Sequence, residues 1–171
     1  ISKYGYVNFI LKSKKQINYN KQSFENRHFI LENGMYNFIL EKMVKFILGT
    51  SSITNILDIG CGEGFYSRQI QLSTNKNVFA FDLSKDSIQI ASKNDKNGII
   101  KWFVADLASI PLKNSSMDCI LDIFSPANYK EFQRILVPHG YIIKVIPTKN
   151  HLKEIREMIK RYLILMKSVN L

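Results

Sequence analysis

Cysteine is scarce in this chain: 171 residues hold two, Cys61 and Cys119. A structural zinc site draws on four ligands and a small oxidised scaffold carries several bridges, so neither organises this fold. A reducing cytoplasm is the compartment that fits, and no metal site is expected. Long apolar runs are missing as well. Phe38-Ile39-Leu40 and Tyr162 to Met166 are broken by charge, well short of the ~20 residues that span a bilayer, and no signal-peptide pattern opens the sequence. No internal repeat or low-complexity tract is found, and 46% hydrophobic content supplies one core.

Acidic residues are the minority, 14 against 24 basic ones, for a net charge of +10. The imbalance is not spread evenly. Residues 1–50 carry 8 basic and 3 acidic side chains, residues 141–171 carry 7 and 2, and residues 51–140 hold 9 of each. A neutral centre with basic flanks suits a polyanionic partner held by the flanks; a solvated lysine-rich surface is the alternative.

Between Ser23 and Leu48, apolar residues recur at helical spacing with Gly34 as a break, which predicts two short helices; Lys12 to Gln22 reads as a polar loop. After Gly49, short β-rich runs alternate with helical ones. That alternation predicts an α/β fold, a Rossmann-like sheet of mainly parallel strands flanked by helices. Strands are expected near 53–59, 78–82, 99–105, 118–124 and 140–146, with helices near 64–73, 85–94, 127–135 and 150–166. Residues 1–50 are expected to pack on the core formed by residues 51–171 as a single unit.

The densest signal is Leu57-Asp58-Ile59-Gly60-Cys61-Gly62-Glu63-Gly64, at the turn from the first of these strands into its helix. Glycines there allow a tight turn and close approach of a ligand to the backbone. The spacing is G-x-G-x-G; a dinucleotide fingerprint would need its third glycine where Phe65 stands. Asp58 and Glu63 would repel a pyrophosphate at this helix N-terminus. S-adenosylmethionine has no phosphate and carries a sulfonium and an ammonium, so an acidic turn suits it. Asp58 is placed to reach the ammonium, directly or through water. Asp82, 18 residues beyond Gly64 at the end of the next strand, stands where a carboxylate accepts both ribose hydroxyls of an adenosyl group. Asp106, ending the strand after that, is a candidate for the adenine amino group. Each aspartate alone reads equally as a helix cap or turn former; three at consecutive strand ends make the joint case.

These residues resemble the class I S-adenosylmethionine-dependent methyltransferases over residues 53–146. A narrower likeness runs through Tyr4-Gly5-Tyr6-Val7-Asn8, Arg27, Gly34-Met35-Tyr36, Asp58 to Tyr66, Asp82-Leu83-Ser84-Lys85, Ser116-Met117-Asp118 and Pro147 to Leu152. It is similar to the guanine-N1 methyltransferases of large-subunit ribosomal RNA, a group that includes macrolide-resistance enzymes. The resemblance implies a cofactor site of Tyr36, Asp58, Gly60, Gly62, Glu63, Gly64, Asp82, Leu83, Asp106, Leu107 and His151, with ribosomal RNA as partner. From the residues alone, Tyr36 reads as a core aromatic and His151 as a residue at a helix start. Members of that group usually begin with a cysteine-rich zinc module and continue into sixth and seventh strands. The chain departs from both features, so it is expected to be a segment of a longer protein.

Class I enzymes present the acceptor after the fourth of the five expected strands, here Asp122-Ile123-Phe124-Ser125-Pro126-Ala127-Asn128. This is not the Pro-Pro-aromatic motif of enzymes acting on exocyclic amines, which favours a ring nitrogen or a non-nucleic acceptor. Asp122, Ser125 and Asn128 are candidates for accepting a proton, and none is assigned as the base. Cys61, Cys119, Trp102, His28 and His139 read as structural, and Pro138-His139-Gly140 reads as a connector. Two other readings stay open: a small-molecule methyltransferase acting on a quinone or metabolite, and a cofactor- or RNA-binding unit without chemistry.

Overall fold

A computed structural model describes residues 1–10 and 29–148. Its sheet is built from β1 (Val7–Asn8), β2 (Asn55–Ile59), β3 (Asn77–Asp82), β4 (Lys101–Val104), β5 (Met117–Ile123) and β6 (Leu136–Val145). The helices are α1 (Asn37–Gly49), α2 (Phe65–Thr74), α3 (Lys85–Asn94) and α4 (Tyr129–Ile135). The order is β1-β4-β3-β2-β5-β6 and every pairing is parallel. The chain reverses direction across the sheet between β2 and β5, the kind of switch point where α/β folds bind ligands outside the carboxyl ends of their strands.

Alternation along the strands sets the two layers. Ile56, Val78, Ala80, Trp102, Cys119 and Leu121 pack with Met43 and Ile47 of α1, Phe65 and Ile70 of α2, and Ile88 and Ala91 of α3. Leu57, Ile59, Phe81, Phe103 and Ile120 face the other way, onto Phe132 and Ile135 of α4. Central strands buried on both faces read as near-continuous apolar runs, as Ile56-Leu57 and Ile120-Leu121 do. Local chemistry fixes the helix ends. Ser84 accepts from the Ser87 amide (3.3 Å) at the start of α3, with Asp86 in its first turn and Lys93 in its last. Asn128 does the same for α4 through the Glu131 amide (3.3 Å).

The predicted strands and helices within the described residues are present, with shifted ends. Two differences matter. Val7 and Asn8 form an edge strand on β4, too short to show any periodicity. Pro138-His139-Gly140, expected as a connector, lies within β6, where the register slips between Met117 and Cys119 and His139 takes φ +63°. An edge strand tolerates a proline and a bulge that a central strand would not. Gly34 breaks the helical stretch as expected, with φ +85°. The helix expected at 150–166 and the loop Lys12 to Gln22 lie outside the described residues. No helix among the described residues is long and apolar enough to cross a membrane.

Candidate functional site

The carboxyl ends of β2, β3 and β5 meet at the glycine turn. Gly60, Gly62 and Gly64 have φ of +60°, +58° and +80°, a region that costs other residues roughly 1–2 kcal/mol. Two of these glycines are also sterically required. A Cβ on Gly64 would lie 2.4 Å from the Trp102 ring and one on Gly60 would lie 2.8 Å from the Ser125 Cβ. Trp102 is core, as expected, and its indole nitrogen donates to Asp95 (3.0 Å).

Asp58, 2% exposed at the end of β2, accepts the Ser67 hydroxyl at 2.5 Å from the first turn of α2. Asp82 accepts the Gly62 amide (3.0 Å) and the Ser84 amide (2.8 Å), so one carboxylate ties the glycine turn to the start of α3. A carboxylate has room for about four donors, and these two amides fix its plane at the strand end. Glu63 is turned into the protein. It is 1% exposed, and Arg68 pairs with its carboxylate at 3.5 Å and donates to its carbonyl at 2.6 Å. Arg68 also reaches Glu32 (3.1 Å), which anchors the segment before α1 to the turn. The acidic character of the mouth therefore rests more on Asp58 and Asp82 than on Glu63.

Cys61 registers the resulting field. Its thiol is pushed well above the ordinary value by burial first, then by Asp58, Asp82 and Glu63 in that order. A turn this negative repels a phosphate and suits a cation. Combined with glycines that admit no side chain, the residues fit S-adenosylmethionine and not a dinucleotide. Cys119 is buried in β5 with its thiol pushed up to about 12, chiefly by burial, so it is a packing residue as expected.

Asp106 is exposed just beyond β4 and caps its own loop through the Ala108 amide (2.8 Å). Leu107 is half-buried, and its carbonyl accepts from Asn128 (3.1 Å). Leu83 is 44% exposed next to Asp82. Tyr36 precedes α1, and its ring lies 5.6 Å from that of Phe124. It therefore caps the corner after β5 as well as packing against the core. The structure brings Asp58, Gly60, Gly62, Glu63, Gly64 and Asp82 to one turn, with Leu83 next to Asp82 and Tyr36 against Phe124 of the corner after β5. Asp106 and Leu107 sit in the loop after the neighbouring strand, and His151 lies outside the described residues.

At the corner after β5, Asp122, Ser125 and Asn128 all make structural contacts. Asp122 is fully buried and ion-paired with Lys144 from β6. Ser125 donates to Asp122 (3.1 Å), and Asn128 is the cap of α4. All three are committed to holding the corner. Sequence reasoning missed Lys144 and Phe124. Phe124 takes φ +55°, rare for a bulky side chain, and only the β5–β6 register shows that Lys144 lies opposite Asp122.

Residues 56–140 match the family described as "Methyltransferase domain". The chain is 36% identical over 172 residues to a Bacillus subtilis (strain 168) protein put forward as a 23S rRNA (guanine-N1)-methyltransferase, covering 93% of this chain and 58% of that one. This chain belongs to the class I S-adenosylmethionine-dependent methyltransferases. S-adenosylmethionine is accordingly its cofactor. It is also 26% identical over 160 residues to the 23S rRNA (guanine(748)-N1)-methyltransferase of Streptomyces fradiae, covering 91% and 56%. The chain thus spans a little over half the length of these curated relatives. A crystal structure from Methanococcus maripaludis, described as an S-adenosyl-L-methionine-dependent methyltransferase, shares the fold at TM-score 0.66 and 23% identity, covering 91% of this chain and 78% of that one.

Proposed function

We propose that this methyltransferase modifies N1 of a guanine in large-subunit ribosomal RNA, in the cytoplasm. The observation that carries the reading is the likeness to the Bacillus subtilis protein across 93% of the chain, because it extends beyond the cofactor turn into both flanks. The basic flanks support it, since a polyanion is the partner such charge attracts. The corner Phe124-Ser125-Pro126-Ala127, unlike the exocyclic-amine motif, supports a ring nitrogen as acceptor.

In this reading Asp82 accepts the ribose hydroxyls, Asp58 faces the methionine ammonium and Asp106 the adenine amino group. Gly60, Gly62, Glu63, Gly64, Leu83 and Leu107 line the cofactor, and Tyr36 and His151 touch it. The cofactor supplies the methyl group. The chain's own contribution is to hold the acceptor nitrogen in line with it, and positioning of that kind is worth about 7–11 kcal/mol at its fullest.

Methylation of N1 blocks the pairing edge of guanine and arrests reverse transcriptase one nucleotide short. Primer extension on unmodified ribosomal RNA, treated with the whole protein and S-adenosylmethionine, should show one new stop at a guanine. No stop, with methyl transfer to a small quinone instead, would replace the RNA reading with the small-molecule one.

A further inference from the structure

The corner after β5 carries a backbone conformation its sequence does not favour. Phe124 sits at φ +55°, and such strain persists only where the surroundings over-determine it. Its surroundings do so from two sides. The Tyr36 ring lies 5.6 Å from the Phe124 ring, and the Phe124 amide donates to the Val145 carbonyl at 3.0 Å. Beneath the corner, Lys144 pairs with Asp122 and also donates to the Ser125 carbonyl at 3.3 Å. The Ser125 hydroxyl in turn lies within hydrogen-bond distance of Asp122 (3.1 Å) and of the Ile59 carbonyl (3.3 Å), its one proton going to either, directly over Gly60 of the glycine turn.

We propose that Lys144 is a positioning residue for methyl transfer: through Asp122 and Ser125 it locks the acceptor corner to the glycine turn. This rests on the acceptor reading above. A fully buried carboxylate would be served by any cation; what sets Lys144 apart is its second bond, to the backbone of the corner itself. Asp122 lies opposite both Ile59 of β2 and Lys144 of β6, so the pair spans the strand that delivers the corner and holds it against its neighbour. The Lys144 side chain is 28% exposed while Asp122 has no exposure, so solvent meets the pair on the lysine side alone.

Lys144→Met alone strands a buried charge and can unfold the domain, so the decisive protein is the double variant Asp122→Asn with Lys144→Met, in which no charge is left unpaired. In the whole protein this variant should bind S-adenosylhomocysteine within about twofold of the parent, while kcat for RNA methylation falls roughly a hundredfold with KM for RNA little changed, the signature of lost positioning. Lys144→Arg, which keeps the charge and a donor, should recover most of the rate. Amide hydrogen exchange reads the corner whatever the acceptor proves to be: the Phe124 amide should exchange at least ~tenfold faster in the double variant, with Ile59 and Phe81 unchanged. Unchanged exchange at Phe124, or a parental kcat in the double variant, would overturn the proposal. An RNA-inactive parent would sink the RNA reading alone, because the exchange result still decides the role of Lys144.

Discussion

The two halves of the sheet hold their carboxyl ends by different means. On the β2–β4 side, glycines turn the chain, and neutral donors satisfy the carboxylates: the Ser67 hydroxyl for Asp58, and the Gly62 and Ser84 amides for Asp82. On the β5–β6 side, a phenylalanine occupies the left-handed region, and the stabilising pair joins Asp122 to Lys144 across two strands. β6 itself is an edge among the described residues, with Tyr141 and Ile142 exposed. The first half is held by neutral donors around the glycine turn, the second by a buried ion pair between two strands.

The comparison can be broken most severely at Gly64. An alanine there meets the Trp102 ring and an unfavourable φ, and should cost about 2–5 kcal/mol from overpacking plus backbone strain, read as a lowered urea midpoint with loss of cofactor binding. Next is the β5–β6 half: Lys144→Met should destabilise by about 3 kcal/mol, because buried Asp122 is left uncompensated, and adding Asp122→Asn should restore most of it. Equal stability of single and double variants would mean the pair contributes nothing to the fold. Asp82→Ala should weaken S-adenosylhomocysteine by about 1.5–3 kcal/mol, roughly tenfold to a hundredfold, with little change in the β5–β6 half. Binding within twofold of the parent would remove Asp82 from the site.

The smallest effect sharpens the comparison through α4. Arg134 bonds Glu131 at 2.7 and 2.9 Å and braces the Ile110–Asn114 loop. The Arg134 guanidinium holds the Glu131 carboxyl below its ordinary value of 4.5, helped by the Ile110 amide and opposed by burial. With the folded pKa depressed, the stabilisation is fully present above the unfolded value and fades as pH falls through the folded one. Glu131→Gln should therefore lower Tm by a few degrees at pH 7, for about 1 kcal/mol or less, and the gap to the parent should narrow as pH falls below 4.5 and close once it passes the depressed folded value. A gap that persists in acid would assign the effect to hydrogen bonding and not to charge.

Legibility in the sequence followed the same division. The glycine turn, Asp58 and Asp82 were readable because their determinants lie within one turn or at a fixed offset from it. Strand and helix alternation was readable because central strands are buried on both faces and their runs are nearly all apolar. The start of β6 was not, since Pro138 and Gly140 carry turn signals that an edge bulge absorbs. β1 was invisible at two residues. Glu63 was readable as part of the turn, but its pairing with Arg68, five residues on, was not. Lys144 could be found only from the register that sets it beside Asp122, 22 residues away in sequence.

The glycine turn is tested most directly by calorimetric titration of the chain with S-adenosylhomocysteine and, separately, with NAD. The acidic G-x-G-x-G turn predicts stoichiometric binding of S-adenosylhomocysteine and no detectable heat with NAD. Binding of NAD, or of neither ligand by a folded chain, would contradict it.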